Sequence, residues 1–523
     1  MKKFTSVIIA LAMLAAMMTF MIPTASAAWD GSSVSAALVG TGTEYDPYII
    51  SSENDLAFVA KQVNDAVTTF AGEYFKLTVD LDLGNKLWLP IGAQKNYFFG
   101  NFDGDGHTIS NLYVKTDPAD SSSQFGGLFG RINDGVVKNL TIDGAKVISL
   151  KYAGTIAGLL ACTAETGSAS IINCHVINSE VYGTQPGGIV GRSATTNATK
   201  GQLHITGCSV NSLYIGQLSA EDYPKAEFKN HYVGGIVGCA GATIIDGCSV
   251  KNFTSDVCGT SFAPAGGIIG CHGASSVASD ITNCYVTGVK FTASAESHAE
   301  KTCLGGLIGK AAHVQVMSGD PNTECNIFNC FVSDVDFTNN TTSIRNGVVI
   351  GWVADTILFN DIYYVPAGEL PSFGEDTYFA EWPFKEISTP AELTAEMLNK
   401  GNSTAVWVMD IVAGHPTIDV DAAIANTPSY IDYYVENASE TTEEQTTEAP
   451  ETTKAPETEA PVETTEAPVE TTEAPAETTK APEATKAPET EPPKQTGGCG
   501  SMIAGGVAVF AILGCAVVIE KRK

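Results

Sequence analysis

A five-residue pattern, two glycines, two apolar residues and a glycine, recurs through the middle of the chain. It stands as Gly126-Gly127-Leu128-Phe129-Gly130, Gly187-Gly188-Ile189-Val190-Gly191, Gly234-Gly235-Ile236-Val237-Gly238, Gly266-Gly267-Ile268-Ile269-Gly270 and Gly305-Gly306-Leu307-Ile308-Gly309. Degenerate copies are Gly154-Thr155-Ile156-Ala157-Gly158 and Gly347-Val348-Val349-Ile350-Gly351. The final glycines fall at 130, 158, 191, 238, 270, 309 and 351, a mean spacing of about 37 residues that lies inside the window of stacked repeats. Such repeats cannot bury an apolar face alone and must stack on their neighbours.

A second signature follows the boxes: Ile171-Ile172-Asn173-Cys174-His175-Val176, Ile205-Thr206-Gly207-Cys208-Ser209-Val210 and Ile245-Asp246-Gly247-Cys248-Ser249-Val250. It returns as Ile281-Thr282-Asn283-Cys284-Tyr285-Val286 and Ile327-Phe328-Asn329-Cys330-Phe331-Val332. Its Ile, Cys and Val read as the inward side of one half-buried strand at period two. Box-to-strand spacing varies, so loops of different length leave a uniform strand set. Glycine before an apolar pair permits close backbone approach between coils, and equivalent side chains would stack at about 4.8 Å. Few predicted helices interrupt the strands, which argues against a βαβ sheet or a leucine-rich horseshoe. The expected fold class is all-β, a right-handed parallel β-helix solenoid with short flanking helices.

An open β-helix end needs a cap. Ser52-Glu53-Asn54-Asp55 is a capping-box start, with Leu56, Val59, Val63 and Val67 at helical spacing behind it. Thr389-Pro390-Ala391-Glu392 is a second helix start, followed by Leu393, Met397 and Leu398 and stopped by Gly401. Each reads as a lid over an end or as a short helix elsewhere.

Four segments are expected. Residues 1–27 carry a basic start, an apolar stretch and Ala25-Ser26-Ala27, the layout of a secretory signal peptide. Residues 28–435 form the repeat ectodomain. Residues 436–496 repeat Thr, Glu, Ala and Pro without large apolar side chains, which makes a disordered stalk. In residues 497–523, a run without charge at 501–519 spans about 28 Å and reads as a transmembrane helix. Lys521-Arg522-Lys523 behind it reads as a cytoplasmic stop. Secretion, a single pass and an outward ectodomain follow. The anchor resembles a sortase-type tail in layout, but Pro493-Lys494-Gln495-Thr496-Gly497 has one residue too many for that site. Plain retention is the simpler reading, and Cys499 leaves processing or acylation open.

The net charge is −30 over 523 residues, which speaks against nucleic acid and bare anionic lipid as partners. Chemistry is sparse. Eight histidines form no His-Glu-x-x-His pattern, and no nucleophile elbow or phosphate loop is present. Asp103-Gly104-Asp105-Gly106-His107 resembles a calcium loop, but His107 replaces an oxygen ligand and Val114 stands where the bidentate Glu belongs. It reads as a structural turn. No catalytic, cofactor-binding or metal-ligating residue is put forward, and no cofactor is expected.

Several further segments carry a family resemblance. They are Gly40-Thr41-Gly42-Thr43-Glu44-Tyr45-Asp46-Pro47-Tyr48-Ile49-Ile50, Phe70-Ala71-Gly72-Glu73-Tyr74-Phe75, Trp88-Leu89-Pro90-Ile91-Gly92 and Phe99-Gly100-Asn101-Phe102-Asp103-Gly104. With the glycine boxes, residues 40–420 resemble the GLUG-motif surface proteins of bacteria. The resemblance implies a right-handed β-helix and an adhesin-like surface module, with no single ligand.

Of 13 cysteines, Cys174, Cys208, Cys248, Cys284 and Cys330 share one inward position, where thiols pack as small apolar groups. Disulfides between neighbouring coils are the alternative, as for Cys239 and Cys271, which each follow a glycine box. The functional reading is a cell-surface binding or adhesive β-helix on a stalk, whose partner is an unknown surface polysaccharide or protein. A carbohydrate-active lyase or hydrolase is the alternative, and a plain structural spacer is a third class.

Overall fold

The computed structural model describes residues 29–426 except 94–95, 118, 120–123, 164–166, 196–202, 220–222, 224–229, 259–261, 273–278, 294–301, 312–324, 338–344, 354–356, 377–383 and 413–414. The signal segment, the stalk and the anchor lie outside the described residues. Among the described residues no helix is long and apolar enough to cross a membrane.

Strands of successive repeats pair parallel and in register. They form sheets of 20, 8 and 7 strands, beside a separate antiparallel pair. This is an all-β, β-helix-like fold with one contiguous core. Ile171, Ile205, Ile245 and Ile281 stack in it with no exposed surface, as do Ile156, Ile189, Ile236, Ile268 and Leu307 of the glycine boxes. The boxes form the corner between the two smaller sheets. There a Cβ on Gly187 would come to 2.0 Å from the Val190 carbonyl oxygen, and one on Gly234 to 1.9 Å from that of Val237. Only glycine fits that corner.

In four copies the Cys-containing signature is two strands meeting at a bend, which corrects the single-strand reading. In the fifth the same bend, at Asn329, lies within the one strand Cys325–Asp336. Asn173 sits at φ 49°, Gly207 at 66°, Gly247 at 61°, Asn283 at 51° and Asn329 at 52°. The register aligns them as one left-handed column with Gly106, Asn139 and Asp361. Asn, Asp and Gly tolerate this conformation best. The bend breaks the period of two, so Ile171 and Cys174, three residues apart, both point inward. A second column, Asn111, Gly144, Asn178, Ser212, Asn252, Gly288 and Asp334, bends the same sheet again. Side-chain amides tie coils together along both columns: Asn173 Nδ2 donates to Asn139 Oδ1 at 2.9 Å and Asn252 Nδ2 to Asn211 Oδ1 at 2.9 Å.

The five ladder cysteines are 0–1% exposed. Each thiol donates to the carbonyl two residues earlier, as Cys284 does to Thr282 at 3.1 Å and Cys330 to Phe328 at 3.1 Å. The bend turns these carbonyls toward the interior, and a thiol is the small apolar side chain that carries a weak donor. Burial pushes the Cys174, Cys248 and Cys284 thiols well up. Among the described residues no disulfide is present, and the ten described cysteine side chains are buried.

Helix α1, Glu53–Asn64, is capped by Ser52, whose side chain accepts from the Asp55 amide. It inserts Leu56, Val59 and Val63 into the main core. Val67 lies beyond its end and is 66% exposed, against the helical spacing read from sequence. The strand Tyr48–Ile50 is covered at its outer edge by an antiparallel bridge from Val39 to Ile49. The far helix is split. Pro390–Glu392 is a single 3-10 turn without a side-chain cap bond from Thr389, and Thr394 caps the short α2, Ala395–Leu398. These elements, with the hairpin Trp407–Asp410 and His415–Ile418 and helix α3, Val420–Ala425, lie on the flank of the large sheet. Leu393, Leu398, Trp407 and Ala423 bury against Tyr285, Phe331 and Tyr363.

Candidate functional site

The residue after the last glycine of every box faces outward on the 8-stranded sheet. Arg131, Leu159, Arg192, Cys239, Cys271, Lys310 and Trp352 are in register across seven consecutive strands, and Glu375 continues the row. A facing row comes from the 7-stranded sheet: Phe125, Tyr152, Gln185, Tyr232, Pro264, Cys303 and Arg345. The glycine corner brings the two rows together as a strip along the coil axis. Six steps of about 4.8 Å make it about 29 Å long.

Cations and rings alternate within it. The Arg131 guanidinium lies 3.8 Å from the Phe125 centroid and 5.4 Å from that of Tyr97. Arg192 donates to the Tyr152 hydroxyl at 3.2 Å. Lys310 sits 4.7 Å from Phe262 and 4.6 Å from Trp352, and Arg345 sits 4.2 Å from Trp352. The rings also meet edge to face, Phe125 with Tyr152 at 5.3 Å, Tyr232 with Phe262 at 5.8 Å and Phe262 with Trp352 at 6.1 Å. The chain has four arginines, Arg131, Arg192, Arg345 and Arg522. Three of them stand in this strip, although the chain as a whole carries −30. Ring faces hold the cations in place, and both ring faces and cations are recognition groups for sugars and their acidic substituents.

Three thiols complete the strip. A hydrogen bond from Cys239 lowers the Cys271 thiol below its ordinary value, burial opposes this, and Lys310 and Arg192 add to the lowering. The same hydrogen bond and burial raise Cys239. Cys303, beside Arg345, is pushed up by burial to about 12.

Sequence reasoning named none of this strip except Cys239 and Cys271. The signal was present in the constant position after each box, but the residue type changes from coil to coil.

The calcium-like turn is held by protein groups. Asp103 Oδ1 accepts from the Asp105 amide at 2.9 Å and from Asn139 Nδ2 at 3.0 Å, while Lys138 lies 3.3 Å from Oδ2. Burial opposes ionisation of Asp103, but these donors outweigh it and hold its carboxyl below the usual range. Lys76 pairs with Asp105 at 3.0 Å and His107 with Asp80 at 3.1 Å. A depression of about 450 Å³ lies over Tyr74, Lys76, Asp103 and Lys138. Its charged groups are half-exposed pairs, each of small energetic weight. Among the described residues no group of three or more metal-ligating side chains converges. On the outer face of the large sheet His175 Nδ1 lies 2.8 Å from Ser209 Oγ and its Nε2 3.0 Å from Asn173 Oδ1. Elsewhere His231 Nδ1 lies 3.6 Å from the Cys258 sulfur. His231 Nδ1 already accepts from the Cys258 amide at 3.0 Å, so its lone pair is not available to take the thiol proton.

The GLUG motif is matched at residues 229–255, which hold one glycine box and the Cys248 bend. Halomucin of Haloquadratum walsbyi is 32% identical over 174 residues, 31% of this chain and 2% of that protein. A protein of Evansella cellulosilytica described as a Gly-rich membrane protein is 29% identical over 198 residues, 31% of this chain and 21% of its own length. The matched part is thus a small share of both relatives. A crystal structure from Bacteroides ovatus, provisionally described as an immunoglobulin A1 protease, aligns with TM-score 0.46 at 19% identity, over 73% of this chain and 94% of that one.

Proposed function

We propose that this chain is a cell-surface binding protein whose β-helix, wound in the right-handed sense usual for parallel crossovers, recognises a sparsely charged acidic polysaccharide along the strip. The observation that carries this reading is the gathering of Arg131, Arg192, Lys310 and Arg345 with six aromatic rings on one face of an otherwise acidic chain. Charge spacing favours a particular class of ligand. Arg131 and Arg192 are two register steps apart and Arg192 and Lys310 three, or about 10 and 14 Å. A duplex nucleic acid carries a charge every 1.7 Å or so and would be repelled by the rest of the chain. A polymer with an occasional uronate suits this spacing, and its ring faces can stack on the aromatic side chains between the cations. The membrane and mucin names of the two relatives support a surface location. With the signal-like start and the apolar tail, they are consistent with an anchored ectodomain on a stalk and a cytoplasmic C-terminus.

The role is binding rather than catalysis. The full chain should be retained by uronate-containing glycans more strongly than by neutral or densely sulfated ones, and the bound polymer should keep its length on size-exclusion chromatography. Arg192→Gln should lower that retention about tenfold, the loss of one charge-assisted contact. Unchanged binding by Arg192→Gln would overturn the assignment of the strip, and shortening of the polymer would replace binding with catalysis.

A further inference from the structure

One stretch of the strip has a chemistry of its own, whatever ligand the strip takes. Arg192, Cys239, Cys271 and Lys310 follow one another in register, each directly paired with the next. Adjacent parallel strands lie about 4.8 Å apart, inside the Cα separation of about 4.4–6.8 Å that a disulfide spans. Both thiols stand in the row that carries the outward cations, so they share a side of the sheet. A cation stands one strand away on each outer side. That arrangement favours thiolate, the reactive form of cysteine. The neighbouring Cys239 thiol lowers Cys271 below its ordinary value against burial, with Lys310 and Arg192 adding to the lowering, while Cys271 and burial raise Cys239. The Cys271 sulfur also contacts the His272 carbonyl oxygen at 3.5 Å.

The ladder cysteines also neighbour one another from coil to coil, but their burial differs. They face the core and are 0–1% exposed, whereas Cys239 is 4% and Cys271 7% exposed. No described cation is in register with the ladder positions. A small oxidant reaching the strip therefore meets the Cys239–Cys271 pair before any thiol of the ladder.

We propose that Cys239 and Cys271 are a modification site, an oxidisable dithiol on the outer face of the β-helix that closes to an inter-coil disulfide in the presence of a peroxide. The Cys271 thiolate bonds to one peroxide oxygen, the O–O bond breaks, and the departing hydroxide takes up a proton as water. The sulfur of Cys239 then attacks the Cys271 sulfenic sulfur and expels hydroxide, which takes the Cys239 proton as a second water. Two thiols lose two electrons and two protons, and one peroxide becomes two waters. The product joins two adjacent coils in the middle of the strip, between the Arg192 and Lys310 ends.

The test treats the folded full chain with equimolar hydrogen peroxide, quenches with an alkylating agent and maps the peptides by mass spectrometry. The expected product is one crosslinked pair joining Cys239 to Cys271, formed while the five ladder cysteines remain reduced and reversed by reductant. In Cys239→Ser, Cys271 should stop as a sulfenic acid that dimedone traps. In Cys271→Ser, Cys239 should stay reduced. Circular dichroism on both variants checks that they fold, and the wild-type crosslink stands independently of them. Ladder oxidation ahead of this pair, a Cys271–Cys303 bridge instead, or Cys239 and Cys271 both still reduced would each overturn the proposal.

Discussion

Gly247 lies directly beneath Ala423: a Cβ on this glycine would come to 2.5 Å from the alanine methyl carbon. Its neighbour in the left-handed column, Gly207, would meet Val420 Cγ1 at 2.7 Å. The column uses Asn at 139, 173, 283 and 329, and uses Gly only at the coils where α3 docks and at Gly106. Asn tolerates the φ of 61° at Gly247, so backbone strain does not explain the glycine. Contact does. Gly247→Asn should therefore lift α3 and cost about 1–3 kcal/mol, the usual range for overpacking. Asn173→Gly, where no helix docks, removes the bond to Asn139 and should cost about 1 kcal/mol. Thermal unfolding of both variants checks the order. A Gly247→Asn protein as stable as wild type would show that α3 is not seated there.

These glycines also mark where the sequence can and cannot be read. The boxes and the cysteine positions are legible because one side chain recurs at one place in every coil. The bend is not, because Ile171 and Cys174 read as ordinary strand neighbours unless Asn173 is assigned a left-handed conformation. The flank docking of residues 389–426 rests on Asn283 accepting from Trp407 Nε1 at 3.2 Å and from Asn402 Nδ2 at 2.8 Å. Those partners are more than 100 residues away in sequence, and no local pattern announces such contacts. The strip was hidden because Arg131, Leu159, Cys239 and Trp352 share a position without sharing chemistry.

The ladder thiols give a direct measure of core integrity. Native-state alkylation should leave Cys174, Cys208, Cys248, Cys284 and Cys330 unlabelled, since burial hides all five sulfurs and disfavours thiolate at Cys174, Cys248 and Cys284. Denaturant alone, without reductant, should expose all five. A requirement for reductant would mean disulfides between coils.

Asp246 makes the flank contact sensitive to pH. Burial lifts its carboxyl to about 6 against hydrogen bonds from Asn283, Thr282 and Asn426. The folded value lies above the ordinary 3.8, so the native state holds this proton more tightly than the unfolded chain. Its stabilising contribution is complete below pH 3.8 and is lost as pH rises through about 6. The loss amounts to about 3 kcal/mol by linkage. Asp246→Asn, which cannot ionise, should gain on wild type as pH rises from 4 to 7 and then level off. Denaturant titrations of both proteins across that range check the slope. A constant difference between them would remove the linkage to Asp246.

His231 acts in the opposite direction. Burial lowers it to about 4 from 6.5, so its contribution is present above pH 6.5 and is lost as pH falls through about 4. His231→Gln should blunt the acid limb of the stability profile while leaving the Asp246 limb in place. Equal acid sensitivity in the variant would mean that the carboxylates alone set that limb.

Trp352 holds two cations of the strip at once, Lys310 at 4.6 Å and Arg345 at 4.2 Å, and abuts Phe262 at 6.1 Å. Each cation–π contact is worth about 0.5–2 kcal/mol according to its exposure. The ring is only partly buried, so removing it leaves no core cavity. Trp352→Ala should therefore lower ligand affinity about tenfold or more, through lost stacking and through release of both cations, while shifting global stability by about 1 kcal/mol. Lys310→Met keeps the apolar contact with the rings and removes the charge, so its loss of affinity should shrink as salt is raised. The two variants separate the stacking and charge contributions. Binding by isothermal titration at low and high salt, beside thermal unfolding of the same samples, reads both. If Trp352→Ala unfolds the protein as readily as a core truncation, the ring is structural. If both variants bind like wild type at every salt concentration, the strip is not the ligand site.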